Sequence, residues 1–195
     1  MLVSDSLTPT LIEFGKLFAP EYAYLIPRFQ RNYSWEKDDV EEFWNDLLTD
    51  YNTWTGTRTN RIKYYFGSVM IVDIDNEEFR WLIDGQQRLT TSIVFLIALR
   101  DYFSEIDSST DVKQLESKIY YENIAGDIIP RLSLNRYNDP FFKTKIVEKK
   151  NISEKNRTIH RGVSKDDKLL CNCYVKLSDL ILDNVVEEEK IFKGL

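Results

Sequence analysis

The sequence predicts an α+β fold, with a small mixed β-sheet packed with helices and a helical C-terminal extension. Three observations point to it. Short runs rich in β-branched and aromatic residues at 22–26, 64–72 and 79–83 have the character of strands. The run at 89–103 is long, free of Pro and mostly apolar, as a buried helix is. Beyond residue 104 apolar residues recur at helical spacing, at Val112, Leu115 and Ile119, then at Leu169, Leu170, Cys173, Leu177, Leu180 and Ile181. At 195 residues, 43% hydrophobic and 13% aromatic, the chain is long and apolar enough to bury a proper core. The expected division is a core at 1–103 and a mostly helical extension at 104–195.

The first element is a short helix over 8–18, with Leu11, Ile12, Phe14, Gly15 and Phe18 near one face and Thr8 or Thr10 as its cap. A strand at 22–26 ends at Pro27, which opens a loop. Over 36–51, Val40, Phe43, Trp44, Leu47, Leu48 and Tyr51 form one stripe, and Ser34 is the candidate cap. The opposite side holds Glu36, Asp38, Asp39, Glu41, Glu42 and Asp46, which project in several directions and suit a solvated face better than a metal site. The polar stretch 52–63 reads as a loop whose Arg58, Arg61 and Lys63, together with Arg28, are candidates for contact with nucleic acid or a triphosphate tail. Strands at 64–72 and 79–83 are joined by a hairpin turn from Asp73 to Glu78, and the 89–103 helix follows. A helix at 111–121, a short strand at 131–134 after Pro130 and a helix at 167–186 complete the series; the last is expected to lack a covering partner.

Net charge is −6, which argues against wrapping bulk DNA, yet 141–168 holds nine Lys or Arg against four acids. That stretch reads as a solvated linker or as a contact for phosphate backbones. The one histidine, His160, lies in it and reads as a solvated loop residue. Cys171 and Cys173, two apart on a helix, point in nearly opposite directions; they are expected to be reduced core residues, not a disulfide or a metal pair. No apolar run reaches the roughly 18 residues of a membrane span and the start lacks a secretory pattern, so a soluble cytoplasmic protein is expected.

Two polar clusters stand out. In Ile83-Asp84-Gly85-Gln86-Gln87-Arg88-Leu89-Thr90-Thr91, a carboxylate, two amides, a guanidinium and two hydroxyls sit where an apolar strand meets an apolar helix. Gly85 is the hinge of that turn, and the first N–H groups of the helix form a ready anion site. Arg88 adds a fork for phosphate or carboxylate, Asp84 can hold a hydrated divalent cation or orient a water, and Gln86 and Gln87 can donate and accept around a substrate. The plainer alternative is that Asp84 or Thr90 caps the helix and Arg88 pairs with an acid. The second cluster follows Pro27, where Arg28, Gln30, Arg31 and Asn32 alternate with Phe29, Tyr33 and Trp35, rings that suit nucleotide stacking or core packing alike.

The IPxxQRxYxW pattern at Ile26, Pro27, Gln30, Arg31, Tyr33 and Trp35, with DGQQRLTT at Asp84 to Thr91, resembles the N-terminal domain of GmrSD-type modification-dependent restriction proteins. The resemblance implies a ParB-like or sulfiredoxin-like domain that binds and helps hydrolyse a nucleoside triphosphate with Mg2+, as the regulatory module of an anti-phage system directed at modified DNA. Carried over by position, Asp84, Gly85, Gln86, Gln87 and Arg88 form the phosphate site, with Thr90 and Thr91 as further phosphate- or nucleotide-binding residues and Gln30 and Arg31 facing it. The implied catalytic residues are Asp84, Gln86, Gln87 and Arg88, and the implied Mg2+ ligand is Asp84. Spacing and composition do not themselves show hydrolysis, and the chain has no Gly-rich Lys-Ser/Thr phosphate loop. A non-enzymatic module that reads DNA backbone or a modified base is the alternative. The family often continues into an HNH-type nuclease domain; with one histidine the chain is expected to stop before it or to work with a nuclease subunit.

Overall fold

Strands of two to five residues cannot stand alone, so the sheet is assembled from distant parts of the chain around one long buried helix. The computed structural model describes residues 10–52, 67–74 and 78–185. Its main sheet has the order β2-β3-β1-β6, from β1 (Tyr24–Leu25), β2 (Met70–Val72), β3 (Arg80–Asp84) and β6 (Leu132–Ser133). β1 lies parallel to β3 and β6, whereas β2 and β3 form the expected antiparallel hairpin, so the sheet is mixed. β4 (Tyr120–Glu122) and β5 (Ile128–Pro130) form a separate two-stranded ribbon that periodicity does not reveal.

The central helix is α2 (Gln86–Glu105), buried almost all round through Asp101. Against it pack α3 (Ser109–Ile119), α5 (Ile152–Thr158) and α6 (Lys168–Val185), and α6 in turn packs on α1 (Lys37–Asn52). Phe95 of α2 takes both Phe43 and Trp44 of α1 edge-on, at 6.3 and 5.9 Å between ring centroids. The α6 stripe is therefore covered, contrary to the expectation that it would lack a partner: Leu170, Cys173, Leu177 and Ile181 are all buried in the core.

Other expectations are corrected. Of the helix expected over 8–18, Thr8 lies outside the described residues, and those described form only a 3-10 turn, Phe14–Phe18, with Leu11 and Ile12 exposed; Gly15 weakens a helix here and Pro20 stops it. Ser34 caps nothing, because α1 starts at Lys37 and the Glu36 N–H is taken by the Asp39 carboxylate at 2.8 Å. Residues 64–66 of the second expected strand lie outside the described residues, and its described part is extended only from Met70. The basic stretch 141–168 is no linker. Its first residue ends α4 (Asp139–Phe141), and a π turn (Phe142–Ile146) and α5 follow, anchored by buried Phe142, Ile146, Ile152 and Ile159.

Charge is buried with it. Asp101 on α2 is fully buried; its carboxylate receives Arg100 at 2.6 Å, Lys155 at 2.5 Å and the Tyr174 hydroxyl at 2.9 Å. That ties α2, α5 and α6 together, and the remaining donors of Arg100 and Lys155 go to the carbonyls of Val147, Glu148 and Ile146. Cys171 and Cys173 are free and buried, as expected. Among the described residues no helix is long and apolar enough to cross a membrane.

Candidate functional site

β3 ends at Asp84 and the chain turns into α2 through Gly85, which sits at the helix N-cap with φ 81° and ψ 12°. Glycine is required twice over. The left-handed backbone disfavours other residues, and a Cβ would stand 3.0 Å from the Ser68 carbonyl and 3.1 Å from Val69 Cγ2. A glycine cap brings no side chain, and neither Asp84 nor Thr90 takes its place, so the capping alternative does not hold. The first helical N–H with a backbone acceptor is that of Leu89, bonded to the Gly85 carbonyl at 3.0 Å. The N–H groups of Gln86, Gln87 and Arg88 therefore have no backbone partner among the described residues, at the positive end of a 20-residue helix.

Among the described residues Arg88 pairs with no acid. One of its Nη atoms reaches the Ser68 carbonyl at 3.4 Å, and the guanidinium lies directly over Gly67. Gly67 has φ 99°, and a Cβ built there would fall 2.6 Å from both Cζ and Nη1 of Arg88. The missing side chain is thus the seat of the guanidinium, which keeps four of its five N–H donors without a partner among the described residues.

The loop after Pro27 is bolted to this corner by amides. Gln30 donates to the Ile83 carbonyl at 2.8 Å; Gln87 accepts the Ser34 N–H at 2.9 Å and donates to the Asn32 carbonyl at 3.4 Å. The Tyr33 hydroxyl shares a 2.7 Å hydrogen bond with Thr91, and burial raises the Tyr33 pKa well above its ordinary value. From the far side Asn135 donates to the Gln30 carbonyl and the Asn32 side chain, and Asn138 accepts the Tyr33 N–H. Between these groups is a cavity of about 10 Å³, one water's worth, walled by Arg31, Gln86, Thr90 and Asn135 among others.

The candidate residues thus divide. Asp84 is exposed, Gln86 is 8% exposed, and neither side chain has a partner among the described residues. Arg31 is exposed on the wall it shares with Gln86, and Arg28 is exposed on the same loop. Gln30 and Gln87 are held by backbone groups, and Thr91 is sealed in the core behind Tyr33. Trp35 and Tyr33 pack inward, whereas Phe29 is 71% exposed. Arg58, Arg61 and Lys63 lie outside the described residues. Among the described residues no three His, Cys, Asp or Glu side chains gather as a metal cluster.

A family model for the GmrSD restriction endonuclease N-terminal domain matches residues 14–194. The chain belongs to this family. No curated protein matches it. In this GmrSD N-terminal domain the match takes in the sheet, the corner and the C-terminal helices alike.

Periodicity and motif reading miss three of its site residues. Gly67 reads there as a glycine inside a strand, and only the Arg88 side chain lying across it shows otherwise. Asn135 and Asn138 sit in the RLSLNRYNDP stretch, whose polar pair before Pro140 is the available signal, since turn-forming asparagines clamp nearby backbone.

Proposed function

We propose that the Gly85 corner binds the phosphate chain of a nucleoside triphosphate, hydrolyses it, and so regulates a DNA restriction system. The observation that supports this most is the uncapped N-terminus of α2, whose open N–H groups stand beside the unpartnered Gln86 amide and the seated Arg88. The cavity behind Gln86 takes only a water, so the phosphates lie across its mouth, over Gly85 and the first turn. Asp84 fits a Mg2+ ligand, because Mg2+ on a polyphosphate needs only one or two protein carboxylates and this one is exposed and unpaired. Bound there, Mg2+ supplies charge neutralisation. Arg88 neutralises charge developing on the transferred phosphoryl group, Arg31 meets the outer oxygens, and Gln86 or Asp84 orients the water. Gln30 and Gln87 are positioning residues that hold the Pro loop against the corner.

Family membership supports DNA as the macromolecule acted on, with the modification recognised and the nuclease domain or subunit part of the same proposal. Phosphate release with Mg2+ by the wild type and by Arg88→Ala tests the reading. A rate that falls ten-fold or more in the variant is expected; equal rates remove Arg88 from the mechanism. A second reading, in which the corner contacts DNA and no nucleotide turns over, draws on the exposure of Arg28, Phe29 and Arg31 on one loop. Its mark is salt-dependent DNA binding indifferent to added triphosphate.

A further inference from the structure

The nine bases of 141–168 do not share one role. Lys143 pairs with Asp139, Lys149 with Glu116, Lys150 with Glu148 and Glu154, and Lys155 is buried on Asp101. By contrast Arg161, Lys165 and Lys168 are exposed and have no ion pair among the described residues. Arg157 on α5 and half-buried Lys145 likewise have no ion pair among the described residues, but Lys165 and Lys168 stand together at the entrance to α6.

There they border an open cleft of about 380 Å³, lined by His160, Lys165, Lys168, Asn172, Ser164 and Cys171 among others. At about 30 Å³ per water that is room for more than ten waters, far more than a bare ion fills. No carboxylate lines it. Asp167, between Lys165 and Lys168 in sequence, is 9% exposed, and its oxygens are taken by Asn138 Nδ2 at 3.0 Å and the Ser164 hydroxyl at 2.5 Å. Asp166 remains exposed next to it, and the Asn172 amide has no partner among the described residues. His160 directs Nδ1 to the Cys171 sulfur at 3.4 Å, leaving Nε2 as the ring's remaining polar atom. Two ammonium groups, an imidazole and a free amide around a concavity at the start of an 18-residue helix form an anion receptor.

We propose that this cleft docks a phosphodiester of a nucleic-acid backbone. The proposal rests on the reading of DNA as the partner, and it names the surface. A backbone fits better than a free small phosphate, because the donors are flexible point charges around an open cleft instead of a tight ring of buried groups.

The test is fluorescence anisotropy of a labelled DNA duplex over a salt series, with the wild type, Lys165→Gln/Lys168→Gln, and a control losing equal charge elsewhere, Lys16→Gln/Lys113→Gln. Removing two phosphate contacts should lower the slope of log affinity against log salt by about 2, and the control should not. Matched melting temperatures confirm that the exposed substitutions leave the fold intact. Equal slopes in the two double variants, or no salt-dependent duplex binding by the wild type, overturn the proposal. Displacement of the duplex by millimolar pyrophosphate at matched ionic strength also overturns it, in favour of a small-phosphate site. Calorimetry with triphosphate on the same proteins separates the two claims. A reduced slope with no triphosphate heat in the wild type rejects the corner reading and keeps the cleft; unchanged heat with equal slopes does the reverse.

Discussion

Replacing Gly67 by alanine isolates what the glycine does for Arg88. A Cβ there falls 2.6 Å from Cζ and Nη1 and 2.9 Å from Nε of Arg88, distances at which something must move. What moves is the far end of a long side chain, so steric relief is cheap in stability and large in position. The backbone at φ 99° adds about 1–2 kcal/mol for any residue with a Cβ. For a chain of this size that lowers the melting temperature by roughly 2–8 °C. If the displaced guanidinium holds phosphate, the lost charge-assisted hydrogen bonds are worth about 1.5–3 kcal/mol, or roughly 10- to 100-fold in triphosphate affinity. A double-mutant cycle read by calorimetry and thermal melting separates the two effects. In an Arg88→Ala background, Gly67→Ala should still cost stability and should cost no further affinity. An Gly67→Ala variant that melts lower yet binds triphosphate like the wild type would refute the reasoning, as would equal affinity losses in both backgrounds.

Other consequences can be checked on the same protein. Burial holds the Lys155 pKa down to about 8, partly offset by Asp101, so between pH 8 and the unfolded value of 10.5 the unfolded chain binds the extra proton. The contribution of this group to stability therefore rises with pH through that window, and melting of the wild type relative to Lys155→Met should improve between pH 7.5 and 10; a gap that widens against the wild type contradicts it. Arg131, fully buried, sends its N–H donors to the carbonyls of Lys118, Ala19, Tyr22, Ser117 and Tyr120. Lysine has three donors and no planar fork, so denaturant titration of Arg131→Lys should show a loss of about 3 kcal/mol or more. Burial pushes the Cys171 thiol up to about 11 and that of Cys173 to about 12, so a thiol reagent at pH 8 should label neither at an appreciable rate until urea unfolds the chain.

The corner was legible in the sequence because its signals are local: a strand, a glycine and a helix in succession, with polar groups where apolar ones belong. Two helices were legible for local reasons too, α2 as a long Pro-free apolar run and α6 as a periodic stripe. Pairings at a distance were not. β6 joins β1 across more than a hundred residues, and two-residue strands carry no period to read. Gln87 looked available until the Ser34 N–H claimed its oxygen, because a side-chain amide looks the same in sequence whether it faces a ligand or a loop. The basic stretch 141–168 looked like solvent-facing charge, since its buried Phe142, Ile146, Ile152 and Ile159 are split between two short elements instead of forming one sustained stripe.

Calorimetric titration of the chain with each common nucleoside triphosphate and Mg2+ goes most directly to whether the Gly85 corner holds an anion. One saturable site is expected in the wild type, weakened at least ten-fold by Arg88→Ala and made indifferent to Mg2+ by Asp84→Asn. Absence of binding heat with every triphosphate, or identical isotherms for the three proteins, would contradict the account.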